Sequence, residues 1–150
     1  MKQFVTKAAV TLACLLTLGT SYSFAAGNGD NKEIKNAFRH DFESAQLMST
    51  EAHDNFTKVE FSMNGQIMTA FYSTGGELLA VTRNLTTKQL PVSLLMSFKK
   101  HYDGYWVTDL FEMSQNEQSS YYLTLENADS KMTLRSSDGD NWVVFSSVRK

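Results

Sequence analysis

The chain has 150 residues and one cysteine, with 14 Lys+Arg against 16 Asp+Glu and a formal net charge of −2. It carries no basic excess, so it lacks the electrostatic footprint of a nucleic-acid binder and of a protein drawn to anionic lipid headgroups. A lone cysteine excludes an internal disulfide, so any fold must rest on a single packed core, which a chain of this length can supply.

The first stretch, "MKQFVTKAAVTLACLLTLGTSYSFAAG", sets Lys2 and Lys7 ahead of an apolar run from Ala8 to Leu18, with small and polar residues after it. That is the anatomy of a secretory signal peptide, and the run is far shorter than the roughly 20 residues of a membrane-spanning helix. Ser23 and Ala25 supply the small residues that cleavage after Ala25 needs, which predicts a signal peptide over residues 1–25 and a periplasmic or secreted product. Anchoring as a lipoprotein through Cys14 is the lesser alternative, because Thr11 stands where an aliphatic residue belongs and the apolar stretch continues past the cysteine. Without the signal's two lysines, 12 Lys+Arg face 16 Asp+Glu, a net charge of −4. Residues 26–31 read as a flexible lead-in and residues 32–150 as one domain.

"DNKEIKNAFRHDFESAQ", residues 30–46, has Ile34, Ala37, Phe38, Phe42 and Ala45 at helical spacing, and Asp30 with Glu33 forms a capping box. The rhythm then becomes alternating: "FTKVEFSM" puts Val59, Phe61 and Met63 on one face of a strand. Asn64-Gly65 is a hairpin signal, because both residues tolerate positive φ. A second strand, Gln66–Ser73, leads to "STGGE" and a third strand over residues 77–83. "LPVSLLMSFKKHYDG" predicts a second helix, with Pro91 at its first position, Gly104 past its end, and Leu94, Leu95, Phe98 and Tyr102 as its apolar stripe. Four more strands follow: "YWVTDLFEM", "SYYLTLEN", "KMTLRSS" and "NWVVFSSV".

"FYSTGGELLAV" and "LRSSDGDNWVV" align with Gly76 opposite Gly139 and Val81 opposite Val144. The expected fold is therefore α+β: two amphipathic helices on one face of a largely antiparallel sheet of about seven strands, built from two related half-units.

The helix beginning "LP", its "YDGY" exit, "YYLTL" and the closing "SSDGDNW" resemble the PepSY-like, beta-lactamase-inhibitor-like proteins of the bacterial periplasm, over residues 56–150. The resemblance implies an exported α+β domain and invites comparison with inhibitors that grip enzymes through the open face of a sheet. It does not extend to inhibition of a beta-lactamase. "STGG" also departs from the acidic turn that the family carries in its first half.

The residues offer little for catalysis. His40, His53 and His101 are scattered and lack metal-ligand spacing, no Gly-x-Ser-x-Gly elbow is present, and the two His-Asp pairs are sequence neighbours, whose side chains diverge. "DGDN" lacks the twelve-residue calcium-loop spacing. "TGGE" lacks the Lys-Ser/Thr and helix of a phosphate loop, so both read as hairpin turns. No catalytic residue, cofactor site or metal site is assigned.

Aromatic residues are the more informative group. Along "SYYLTLE", Tyr121, Leu123 and Leu125 share a helix-facing side, which leaves Tyr122 on the open face. Tyr72, Trp106, Tyr122 and Trp142 form the candidate interface, set against the alternative that such rings only stabilise the sheet. The expected function is a non-enzymatic exported domain that binds a protein or peptide of the cell envelope, an inhibitor role included. The alternative is a small-ligand or metal-binding module using the acidic turns.

Overall fold

The computed structural model describes residues 32–150. The expected signal peptide, Cys14 and the lead-in over residues 26–31 lie outside the described residues.

The first amphipathic segment forms helix α1, Lys32–Asp41. It is shorter than its spacing suggested: the helix ends at Asp41, and after a turn the chain begins strand β1, Gln46–Ala52. Helix α2 is Val92–His101, with Pro91 at the capping position just before it, one residue outside the expected start. A single 3-10 turn, Thr87–Gln89, precedes it.

The sheet has eight strands rather than about seven, in simple sequential order and antiparallel throughout. After β1 come β2 Phe56–Met63, β3 Gln66–Ser73 and β4 Leu78–Asn84. After α2 come β5 Trp106–Gln115, β6 Gln118–Glu126, β7 Ser130–Ser136 and β8 Val143–Arg149. Each helix thus precedes four strands. The unforeseen strand is β1: it lies on the sheet edge with every residue exposed, so no face of it carries the apolar alternation that marks a half-buried strand. Pairing with β2, Thr50 opposite Val59 and Ala52 opposite Thr57, makes it a strand.

Turn chemistry sets the register. Asn64 and Gly65 have φ of 54° and 76°, so both central residues of the β2–β3 hairpin take the left-handed conformation that a primed turn demands. At the β3–β4 turn, Gly76 has φ of 83°. A side chain there would stand within 4 Å of the Glu33 backbone and of Ala37 in α1.

Both helices cover one face. Ile34 and Phe38 of α1 pack with Val59, Phe61, Ala70 and Tyr72, and Phe42 lies 4.6 Å from Phe61, ring centre to ring centre. Leu94 of α2 packs with Leu90, Leu110, Leu123, Leu125 and Leu134, with Leu95, Phe98 and Tyr102 at the margin. Burying side chains of this size stabilises the fold by about 1.5–3 kcal/mol each before entropy is counted. Between the two helices the sheet is joined by only four residue pairs of β4 and β5, where Arg83 Nε meets Glu112 Oε2 at 2.6 Å.

Candidate interaction face

Strand alternation assigns side chains to faces between the register shifts of β1–β2, β3–β4, β5–β6 and β7–β8. Residues level with Val59, Ala70, Val81, Leu110, Leu123 and Leu134 point to the helices; their strand neighbours point to the opposite, open face. On that face Phe71, Ala80, Phe111, Met113 and Tyr122 form a third buried cluster, with Phe56 and Leu79 against it. No helix among the described residues packs there. The rings cover one another instead: Phe111 stacks on Tyr122 at 5.0 Å, Phe56 meets Phe71 edge-on at 5.9 Å, and Phe145 of β8 meets Tyr122 of β6 edge-on at 5.7 Å. Strands β6 and β8 are two places apart, nearly 10 Å on a flat sheet. The two rings meet across the intervening strand β7.

The β5–β8 end of this face also carries apolar groups in contact with solvent. Trp106 is 52 % exposed, Val143 60 %, Phe145 40 % and Val148 65 %. Val148 stands opposite Lys131, and Val143 opposite Arg135. Charges are interleaved with them: Lys150 Nζ lies 5.5 Å from the Trp106 ring centre and 2.6 Å from Glu126 Oε1, and Arg135 lies 5.8 Å over the Tyr122 ring. Asp109 is here too. Burial pushes its carboxyl above the usual carboxylate range, opposed by a hydrogen bond from the Leu110 backbone and by the Lys131 charge.

Four aromatic residues were expected at an interface, and the structure brings two of them to this face. Trp106 and Tyr122 lie on it, Trp106 exposed and Tyr122 buried beneath its neighbours. Tyr72 does not: it shares its side of β3 with Ala70, is fully buried under α1, and its hydroxyl donates to Asp41 Oδ2 at 3.1 Å. Trp142 does not either. It sits in the turn before β8, packs against the α2 cluster and donates from Nε1 to the Leu94 carbonyl oxygen at 3.0 Å. Tyr121, Leu123 and Leu125 face α2 as their alternation predicted.

The open face is built as much from phenylalanine as from the tyrosine and tryptophan expected there. A signal was present in consecutive apolar residues, "AFY" at 70–72 and "LF" at 110–111, all buried. Adjacent apolar residues in a strand mean that both faces are covered.

The other candidate chemistry is accounted for locally. At the β7–β8 turn Asp138 accepts hydrogen bonds from Ser136 Oγ, the backbone N–H of Asp140 and Asn141, and Asn141 Nδ2. The Asn141 and Asp140 N–H groups, then the side chains of Asn141 and Ser136, hold its carboxyl well below the usual range. Those oxygens are engaged by their own loop. No group of three metal-liganding side chains forms among the described residues. His40 Nδ1 and Asp41 Oδ1 do meet, at 3.1 Å, contrary to the expected divergence. The His40 side chain is 89 % exposed and Asp41 is engaged with Tyr72, so the imidazole stands in solvent while the carboxylate serves the core. Between the two helices, Met68, Val81, Arg83, Glu112 and Ser114 line a hollow of about 240 Å³ whose charged groups pair with each other.

No protein-family model and no curated protein sequence matches the chain. Its fold is shared with solved structures. A DUF2874 family protein from Bacteroides ovatus superposes with a TM-score of 0.70 at 14% identity, over 82% of this chain and 89% of that one. A BLIP-like protein from Bacteroides fragilis gives 0.67 at 17% identity, over 79% and 84%. A Bacteroides eggerthii protein provisionally labelled periplasmic gives 0.67 at 13% identity, over 78% and 86%. At these identities the likeness shows a shared fold alone.

Proposed function

We propose that this protein is an exported, non-enzymatic binding domain that engages a protein or peptide of the cell envelope through the β5–β8 end of its open sheet face. The observation that carries the reading is the set of exposed apolar side chains, Val143, Phe145 and Val148 along β8 and Trp106 on β5, on a face no described helix covers. Phe145 is held edge-on against Tyr122, which is itself stacked on Phe111, so its exposed ring can contribute contact energy with little ordering cost. Export rests on the signal-peptide anatomy of residues 1–25. It is in keeping with the periplasmic label of one structural neighbour and with the absence, among the described residues, of a helix long and apolar enough to cross a membrane. The fold shared with a BLIP-like protein supports counting an inhibitory role among the forms such binding takes. The small-ligand and metal alternative loses support from Asp138, whose oxygens already have donors within its own turn.

The test is capture from envelope extract by the purified mature protein, with Trp106→Ala and Phe145→Ala as controls. Saturable capture that weakens about thirtyfold in the variants, measured well below the melting temperature of each, is expected for central interface residues. Absent saturation, or capture indifferent to both substitutions, overturns the reading.

The two halves also support an origin by duplication of a helix-plus-four-strand unit. Gly76 and Gly139 both have positive φ at the turn between the third and fourth strand of their half. Each lies against the start of that half's helix region, Gly76 near Glu33 and Gly139 near Pro91.

A further inference from the structure

Three cations, Lys131, Arg135 and Lys150, stand at the β5–β8 end of the open face, against two carboxylates, Asp109 and Glu126. Lys150 is bound to Glu126. Lys131 stands opposite Glu126, and its charge also acts on Asp109. Arg135 has no carboxylate of the described residues within ion-pair distance. A guanidinium offers five N–H donors in a planar fork. Here Nη2 reaches Ser120 Oγ at 3.4 Å, a long bond, and Nε is shielded from solvent without any acceptor. What holds the group is the ring beneath it: Tyr122, itself stacked on Phe111 and braced edge-on by Phe145. The result is a pre-positioned, under-satisfied cation on an aromatic floor, in a chain whose net charge is negative. Val143, directly opposite on β8, and Phe145 flank it with exposed apolar surface.

We propose that Arg135 is the anion-recognition centre of this face and takes the side-chain carboxylate of an aspartate or glutamate in the partner polypeptide, whose adjacent apolar residue seats on Phe145 and Val143. This rests on the open face being the interaction surface. The chemistry follows from the geometry. Nε is shielded, so the terminal nitrogens are the donors a carboxylate meets: Nη1 has no hydrogen-bond partner among the described residues and is not shielded, and Nη2 makes only the long bond to Ser120. The shielded surroundings make a charge-assisted hydrogen bond stronger than it would be in water. A neutral partner would leave the guanidinium both covered and unpaired, so the same arrangement selects against it.

The experiment is selection of a displayed peptide library on the purified mature protein, followed by binding measurements with amidated synthetic peptides, in which no free terminal carboxylate exists. Expected is an acidic residue fixed beside an aromatic or aliphatic one. Changing that acid to its amide, or Arg135→Gln in the protein, lowers affinity by about ten- to a hundredfold, and both changes together cost little more than either one. Arg135→Lys, which keeps the charge without the fork, binds more weakly than the native protein and provides the protein-side comparison should Arg135→Gln fail to fold. Peptides whose binding is lost with Phe145→Ser but is indifferent to Arg135→Gln and to the acid-to-amide change overturn the carboxylate assignment while leaving the interaction face intact. If no peptide is sensitive to Phe145→Ser or Trp106→Ala, both readings fall.

Discussion

Tyr72 separates core from interface, and its effect can be worked out from its surroundings. The side chain is fully buried among α1, β2 and β4, and its hydroxyl donates to Asp41 Oδ2 at the end of α1. Tyr72→Ala deletes a complete ring from a packed site and should cost about 3–5 kcal/mol. Tyr72→Phe removes only the hydroxyl. The Asp41 side chain is 28 % exposed, so water can replace the lost donor and the cost falls to about 1 kcal/mol. At about 2.1 cal/mol/K per residue, the domain described by residues 32–150 loses about 4 °C of melting temperature per kcal/mol, so the two variants should melt about 12–20 °C and about 4 °C lower. Burial, then the hydrogen bond to Asp41 and its charge, push the Tyr72 phenol above its ordinary range. The folded state therefore holds that proton more tightly than the unfolded chain. This contribution is fully present below about pH 10 and is lost as pH rises from there toward the folded value, so the native protein should lose stability at high pH in a way that Tyr72→Phe does not. Thermal and denaturant melts read all three effects, and capture of a partner well below each variant's melting temperature should be unchanged. A Tyr72→Ala protein that melts like the native one, or that keeps its melting temperature and loses its partner, would refute the assignment of Tyr72 to the core.

Three further outcomes are expected. Glu117 has φ of 63° in the β5–β6 turn, a conformation that costs a non-glycine residue about 1 kcal/mol or more; Glu117→Gly should raise the melting temperature by about 4 °C, and a fall would show that the turn is not strained. Arg83→Ala strands the Glu112 carboxylate, whose side chain is only 11 % exposed; because Arg83 itself is 42 % exposed, the cost should be about 1–2 kcal/mol, checked by denaturant melts in which Arg83→Ala with Glu112→Gln recovers part of the loss. The Asp138 carboxyl is held low in the folded protein, so its contribution is present above the unfolded value near pH 3.9 and is lost as pH falls through the folded one; the melting-temperature gap between native and Asp138→Asn proteins should be widest above pH 4 and close in stronger acid, and a gap independent of pH would refute the turn-capping role.

How far the residues spoke for themselves depended on distance along the chain. Strand β3 matches its expected bounds, Gln66–Ser73, and the Asn64-Gly65 turn takes the predicted conformation, because both are decided by dihedral preferences within a few residues. The stripe of α2 was equally plain, since Leu94, Leu95 and Phe98 recur at helical spacing. Strand β1 was missed for the opposite reason. "QLMSTEA" has no buried face, and its extended form comes from a partner strand ten or so residues away. The candidate site was half legible. Alternation placed Tyr122 correctly, whereas Trp142 was misplaced because it lies in a turn, where period-two reasoning has no hold, and is drawn to the α2 carbonyl of Leu94.

By itself, then, the amino-acid order determined the two helical stripes, seven of the eight strands, the tight turns and the α+β class, all set by periodicity and backbone preference over short spans. The tertiary structure decided which face the helices cover, that Tyr72 and Trp142 serve the core, and that Phe71, Phe111 and Phe145 join Tyr122 across four different strands. It also isolated Arg135. Whether a cation finds a carboxylate depends on cross-strand register and on which neighbours the sheet brings level with it. Those distances are fixed only when residues far apart in the chain pack together.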